Sequence, residues 1–538
     1  MPHQSHAKHP IRIPALRQDV TVKETGDARH PWAIVDPLLS QQVKIDAVGH
    51  IITEALATPM TAQEILGFAH LRGENRLDAN LLFNHVRHLA RTGLLEGARA
   101  QRLRHLADDE IESELSTPAH ALPFDFVDGL DHACQACGSC CSATDVGPIP
   151  QNVVDDLLKV DWQEHIPGLE SNADVFRRGD HGNRKIWLTA MRNDQCIFLA
   201  EDKLCRIHKV VGVQRKPTPC RQFPYVFSRV GDRIAVSLQL ECRAYWKAKQ
   251  AADPSSEHEG ELRELLSLGA PLHSVPSRVL VDSGYVISRE EYVALEAELV
   301  SATRGFHDTS LGPLAPLVGY ARGVESALQR LYGTVAKEEA AFCGPELWRK
   351  AFPGAFVADP DPTLVFQGTL GRFADRIAQF SNEGADIATE RKLPFLAERL
   401  RFLGRSVRAL CGGVEPRSFR FTDPVAARAI LEDVIVSSLF GKEAVRRGML
   451  RAGLGLVAFR VLLTLFAAAM RAKEGCRVEI HTQDLIDSMV TVSKLLRERA
   501  VSDVLEELQS PVLTLFLVNL EVFVGGREPR AELAGGIR

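Results

Sequence analysis

The sequence predicts an α+β fold, mainly α, built in three parts. Three observations carry this prediction. Eight of the eleven cysteines lie between Cys134 and Cys242, among short segments of hairpin character. Helix caps and apolar residues at i, i+4, i+7 organise the first hundred residues. From Ser288 to the end, long amphipathic periods dominate. A chain of 538 residues with 45% apolar content has the size and composition of several ordinary globular units. The net charge of −5 gives no drive toward nucleic acid or an acidic membrane.

Taken in order, the N-terminus is rich in His, Pro and charge and reads as a loose lead-in. Its stretch His3 to His9 reads as a tail rather than a metal site, and it lacks the apolar run of a secretory signal. Trp32 to Val35 and Gln42 to Ile45 read as two short strands around a turn. Asp46 opens a helix through Ile51, Ile52 and Leu56, which Pro59 ends. Thr61-Ala-Gln-Glu64 is a capping box ahead of Ile65 and Leu66. Leu82, Val86 and Leu89 define a further helix stopped by Gly93, and Leu94-Leu95-Glu96-Gly97 reads as the opening of a wing.

These elements together describe a small winged-helix module. Their layout resembles the PqqD-like fold that holds peptides in peptide-modifying systems, which implies a peptide or protein target. DNA is the usual alternative for a winged helix. Here the last helix offers only Arg87 and Arg91 with His85 and His88, which is thin for neutralising phosphates.

The cysteines carry the chemistry. Cys134, Cys137, Cys140 and Cys141 read C-x2-C-x2-C-C, and Cys196, Cys205 and Cys220 follow, with His208 three residues after Cys205. Thiolates at C-x2-C spacing converge on one cation, so the pattern reads as a metal site. In an extended backbone Cys140 and Cys141 would point to opposite faces and could not both serve one tetrahedral ion. Cys196 and Cys205 flank a hairpin; a Glu201-Asp202 turn would set Cys205 opposite Phe198. From Ile234 to Cys242 apolar and polar residues alternate, placing Cys242 on the buried face of a strand. Eight Cys and one His suffice for two four-coordinate sites. All-sulfur ligation suits zinc and iron equally, including a 4Fe-4S cluster. Cys343, Cys411 and Cys476 stand apart in helical sequence as ordinary residues.

The remainder reads as helix. "SRVLVDSGYVI" suggests a hairpin, and Ser288-Arg-Glu-Glu291 caps a helix to about Leu299. Phe395 to Leu410, Val425 to Phe440 and Leu485 to Leu508 are amphipathic. Ala452 to Met470 is apolar and about long enough to span a bilayer. Arg460 at its middle costs at least ~2.5 kcal/mol on insertion, so it reads as a core helix and no stable membrane span is expected. No P-loop, H-E-x-x-H, G-x-S-x-G or Gly-rich nucleotide loop occurs.

The cysteine motifs resemble the CxxCxxCC cysteine-cluster family of zinc- or iron-chelating domains. The likeness covers Cys134 to Cys141, Cys196-Ile-Phe-Leu with Lys203-Leu-Cys205-Arg-Ile-His208, Gly212, Pro219-Cys220-Arg-Gln-Phe-Pro224 and the strand ending at Cys242. The layout is also similar to flagellin lysine N-methylases, through Cys220-Arg-Gln-Phe-Pro224, Ser237-Leu-Gln-Leu-Glu-Cys242 and the helical half that follows. Here the first cluster has the shorter spacing and an N-terminal module precedes it. The first resemblance implies metal ligation by Cys134, Cys137, Cys140, Cys141, Cys196, Cys205, His208, Cys220 and Cys242. The second implies protein-lysine N-methylation with S-adenosylmethionine. A structural zinc in an interaction protein is the further alternative. The expected spans are 1–30 lead-in, 31–120 winged helix and linker, 121–250 Cys-rich domain and 251–538 helical domain. Without a secretory signal the chain is expected to be cytoplasmic, with its thiols reduced.

Overall fold

The computed structural model describes residues 10–108, 117–127, 132, 134, 136–142, 146–181, 184–248, 255–354, 362–390, 394–411, 416–446 and 448–497. The stretch His3 to His9, the break at Asp253-Pro254, the side chain of Cys411 and the helix expected beyond Arg497 lie outside the described residues. The fold is α+β and mainly α.

The N-terminal part runs β1 (Arg12–Ile13), β2 (Thr21–Glu24), β3 (Trp32–Asp36), β4 (Gln41–Ile45), α1 (Ala47–Ala55), β5 (Met60–Thr61), α2 (Ala62–Leu71), α3 (Ala79–Arg91) and α4 (Ala98–Asp108). Strands β2, β3 and β4 form an antiparallel sheet, and β1 pairs with β5. The expected caps are present. The Asp46 carboxylate accepts from the Gly49 N–H at 2.8 Å, and Thr61 and Glu64 close a capping box on α2. Leu82, Val86 and Leu89 share a core with Ile34, Ile52 and Ile65. Gly93, at φ +70°, ends α3.

The wing does not follow. Leu95 makes a single bridge to Leu16, and the chain turns into α4. Leu94 and Leu95 are both buried, at 0% and 4% exposure. Consecutive buried residues leave no alternating face for a surface hairpin.

Beneath this part lies a buried ion pair. Arg17 spans both carboxylate oxygens of Asp36 at 3.0 and 2.9 Å and donates to the Gly93 carbonyl at 3.0 Å. Both side chains are fully buried. The same core takes in Phe342, Trp348 and Ala351 from the helical half, with the rings of Phe83 and Trp348 edge to face at 5.3 Å.

The cysteine-rich part contains β6 (Phe124–Phe126), α5 (Gln151–Leu157), β7 (Phe176–His181), β8 (Arg184–Thr189), β9 (Met191–Arg192), β10 (Gln195–Cys196), α6 (Arg206–Val211), α7 (Thr218–Gln222), β11 (Tyr225–Val230), β12 (Arg233–Leu238) and α8 (Arg243–Ala248). After it come α9 (Glu259–Ser267), β13 (Leu272–Ser274), β14 (Arg278–Asp282) and β15 (Tyr285–Ser288). The central sheet has strand order β13-β11-β12-β6. The alternation in β12 is not expressed as one dry and one wet face: Ile234, Ala235, Val236, Ser237 and Leu238 are all buried. A helix covers the second face, where the Ser237 hydroxyl contacts Ser437. β12 ends at Leu238, so Cys242 lies beyond the strand, although it is buried as expected.

The helical part comprises α10 (Arg289–Gly305), α11 (Ala315–Cys343), α12 (Pro345–Ala351), α13 (Pro362–Glu390), α14 (Pro394–Cys411), β16 (Arg420–Phe421), α15 (Pro424–Phe440), α16 (Leu450–Glu474), β17 (Glu479–Ile480) and α17 (Thr482–Arg497). The β14–β15 hairpin and the Ser288 capping box on α10 match expectation. Helix α16 is long and apolar enough to cross a membrane by length and composition. In the structure 89% of that window is buried. Arg460 at its middle is paired with Glu443 and donates to the Ser438 hydroxyl.

Breaking a buried pair by removing one partner strands the other charge and costs about 3–5 kcal/mol. Arg17 also donates to Asp19 through Nε at 3.2 Å and so keeps a partner in Asp36→Ala, which is expected to lower stability by less than that, about 1–3 kcal/mol, in urea unfolding followed by circular dichroism. Arg17→Met with Asp36→Leu should cost less than Asp36→Ala alone.

Candidate metal centre

The Cys140–Cys141 pair sits in a 3-10 turn, Ser139–Cys141, and not in extended backbone. That overturns the expectation that the two side chains diverge. The tight turn brings the sulfurs to 3.7 Å. Gly138 enters the turn at φ +69°, and a Cβ there would stand 3.2 Å from the Leu199 side chain. Glycine therefore lets the turn take a left-handed residue and pack against the Cys196–Cys205 loop. The Cys141 N–H and the Ser142 hydroxyl both bond the Gly138 carbonyl, each at 3.0 Å.

A lysine from the other end of the chain fixes this turn. Lys494, on α17 and 6% exposed, donates to the carbonyls of Ser139 and Ser142 at 2.6 and 2.8 Å. Those two carbonyls bracket the cysteine pair.

The Cys196–Cys205 loop differs from expectation by one residue. Cys205 bridges Leu199, not Phe198, and the Ala200 N–H bonds the Leu204 carbonyl at 2.9 Å. Lys203 takes a left-handed conformation at φ +67°, so Glu201-Asp202-Lys203 make a three-residue loop in place of a two-residue turn. Cys220 is carried by the short helix α7.

Five sulfurs therefore line one cavity of about 350 Å³: Cys140, Cys141, Cys196, Cys205 and Cys220. Phe198 and Phe223 form apolar wall, and Lys216, Lys494, Arg497 and Glu241 add charge. Arg497 is held by Gln239 at 2.6 Å and Glu241 at 3.4 Å. Among the described residues no three His, Cys, Asp or Glu groups close on a common point at ligand distance. The sulfurs are arrayed around a space.

Four expected ligands lie elsewhere. Cys134 is exposed, and Cys137 faces a separate cleft behind the turn. His208 is exposed on α6. Cys242 packs in the core of the central sheet with its sulfur 3.9 Å from Nδ1 of His132. The sequence reading did not single out His132, Lys216, Lys494 or Arg497. Lys494 in particular stands 355 residues from Ser139, with no local pattern to mark it.

Electrostatics divides the sulfurs. The Cys141 thiol hydrogen-bonds Cys140 and, against the opposing effect of burial, Lys216 and Lys494 help hold the Cys140 thiol below its ordinary value. Cys141 is pushed up by its bond to Cys140 and by burial. Burial pushes Cys196 up to about 11 and raises Cys220 as well, with neighbouring thiols adding to both. A soft cation in this space would replace those protons, and all-sulfur donors suit zinc or iron. None of the ten described cysteines is in a disulfide.

A sulfur-lined cavity beside a small sheet describes a chelating domain for a soft metal. Residues 133–249 match the model of the CxxCxxCC family, described as a "putative zinc- or iron-chelating domain". That segment contains all nine expected ligands. Searches of the curated proteins and of the solved structures found no match.

Two outcomes follow from this geometry. A thiol held neutral by burial stabilises the metal-free fold below its ordinary value of 9.0, and that contribution is lost as pH rises toward about 11. Metal-free protein is therefore expected to lose stability of order 2–3 kcal/mol over that window at Cys196, and Cys196→Ala should flatten the loss in pH-dependent denaturation. Lys494→Met leaves two carbonyls without their donor and should cost about 1–3 kcal/mol. It should also slow iodoacetamide labelling of Cys140, because the thiol loses a cation that favours its thiolate, read by peptide mass spectrometry.

Proposed function

We propose that this chain binds zinc or iron in the sulfur-lined cavity and uses that centre in modifying a peptide or protein target. One observation carries the reading: sulfurs from four separated segments line a single cavity. The family match to a chelating domain supports the metal. A metal that only holds a fold together is enclosed by four ligands, whereas a working site keeps an open position. The space of about 350 Å³, walled partly by Phe198, Phe223 and Lys216, favours the second kind.

In this proposal the five cavity cysteines are the principal ligands. Cys134, Cys137, His208 and Cys242 are secondary candidates for another ion. A bound iron–sulfur cluster would supply redox chemistry and a zinc ion would supply Lewis acidity. Lys216 and Lys494 would offset the negative charge of the thiolate set, and the two phenylalanines would limit water. The N-terminal part would dock the target. Protein-lysine N-methylation, with S-adenosylmethionine as methyl donor, is the narrower form of this reading. The order of elements supports it, since the double cysteine, the Cys196–Cys205 loop, the Cys220-Arg-Gln-Phe-Pro224 turn and the helical half follow one another in that sequence.

Anaerobic purification with metal analysis tests the proposal. Bound zinc or iron is expected, with Cys196→Ala and Cys220→Ala each cutting the content at least severalfold. A brown protein absorbing at roughly 400 nm would assign iron–sulfur, and a colourless one with zinc would assign zinc. Wild-type protein that takes up neither metal, or cysteine variants that load as well as wild type, would overturn it.

A further inference from the structure

The cysteine turn has a second cavity at its back. It is also about 350 Å³, and Cys137, Ser139, Ser142 and Lys494 form the wall shared with the turn. Its other walls are polar and charged. Four cations line it, Arg243, Arg405, Arg471 and Lys494, against the carboxylates of Glu398, Glu474 and Asp487.

Two of those cations are matched. Arg243 pairs with Asp487 at 2.6 Å, and Arg405 with Glu474 at 3.2 Å. Arg471 differs. Among the described residues no carboxylate lies within ion-pair distance of it. One Nη donates to the Thr491 hydroxyl at 3.1 Å, and the guanidinium lies over the Phe402 ring at 4.7 Å. Its Nε, like that of Arg243, is buried without a hydrogen-bond partner, so the missing carboxylate is what sets Arg471 apart. A buried donor left unmade is costly, and a guanidinium carries five donors in a fixed plane that matches a carboxylate or phosphate. Stacking on Phe402 holds that plane in place, so little freedom is lost on binding.

We propose that this cleft binds the carboxylate group of a small ligand, anchored by Arg471 and bounded by Lys494. Charge selects the carboxylate over phosphate. The lining carries four positive and three negative groups, which balances one negative charge, and Glu398 at the exposed rim repels a dianion. The site does not depend on the metal. Because Lys494 and the cysteine turn form its wall, a bound ligand would lie directly behind Cys140 and Cys141.

The test is isothermal titration of full-length protein with acetate and, separately, inorganic phosphate at constant ionic strength. It is run with metal-free and metal-loaded protein. Saturable acetate binding is expected in both forms, weakened about tenfold or more in Arg471→Met. Thr491→Val keeps the charge and removes only the group that steadies it, so it should weaken binding less. If Arg471→Met fails to fold, by circular dichroism, Thr491→Val decides: an affinity equal to wild type overturns the proposal. Absence of saturable acetate binding overturns it, as does equal binding by a folded Arg471→Met. Phosphate binding without acetate binding overturns the choice of ligand. Acetate binding by metal-free protein upholds this site whatever the metal analysis finds.

Discussion

Lys494 reaches back across 355 residues to hold the two carbonyls that bracket Cys140 and Cys141. A buried ammonium is tolerated only where its desolvation is made good by hydrogen bonds, so its position and that of the turn fix each other. The sulfur cavity depends on this arrangement. Without a helix end pressed against its back, a short glycine-entered turn has little to hold it at one geometry. The cysteine-rich segment supplies the donors, and the helical half supplies the wall that keeps them gathered.

That division explains how much the sequence made legible. Cysteine spacing pointed to the segment, because thiols at such intervals have few other uses. Helix caps were equally clear: Asp46, Thr61 and Ser288 each bond the N–H they were expected to bond. The misreadings all lie where tertiary structure sets the backbone. Two adjacent cysteines diverge in a strand and converge in a 3-10 turn, and no local signal chose between them. A three-residue loop with a left-handed Lys203 shifted the Cys205 pairing by one. The alternation in β12 promised one wet face, but α15 covers it. Residues that line the cavity from far away, Lys494 and Arg497, were invisible to any window of sequence.

Charge inside the helical half follows a related logic. Helix α16 buries nearly all of its surface, yet it carries Arg460 in its middle. The arginine is accommodated by Ser438 on α15 and by Glu443 from the segment between α15 and α16. Nearby, Lys442 pairs with Glu296, which also accepts from the Tyr292 hydroxyl. Such pairs contribute little net stability against apolar replacements, but they penalise any packing that separates them. They register α10, α15 and α16 against one another.

The shared core of the N-terminal part has a consequence for how this chain can be divided. Trp348, Phe342 and Ala351 complete a hydrophobic cluster whose other members precede residue 96. A hydrophobic cluster therefore crosses the boundary that composition suggests near residue 120. Cutting there would uncover apolar surface on both fragments, and neither would inherit a finished interior. A segment that looks in sequence like a detachable adaptor shares its interior with α11 and α12.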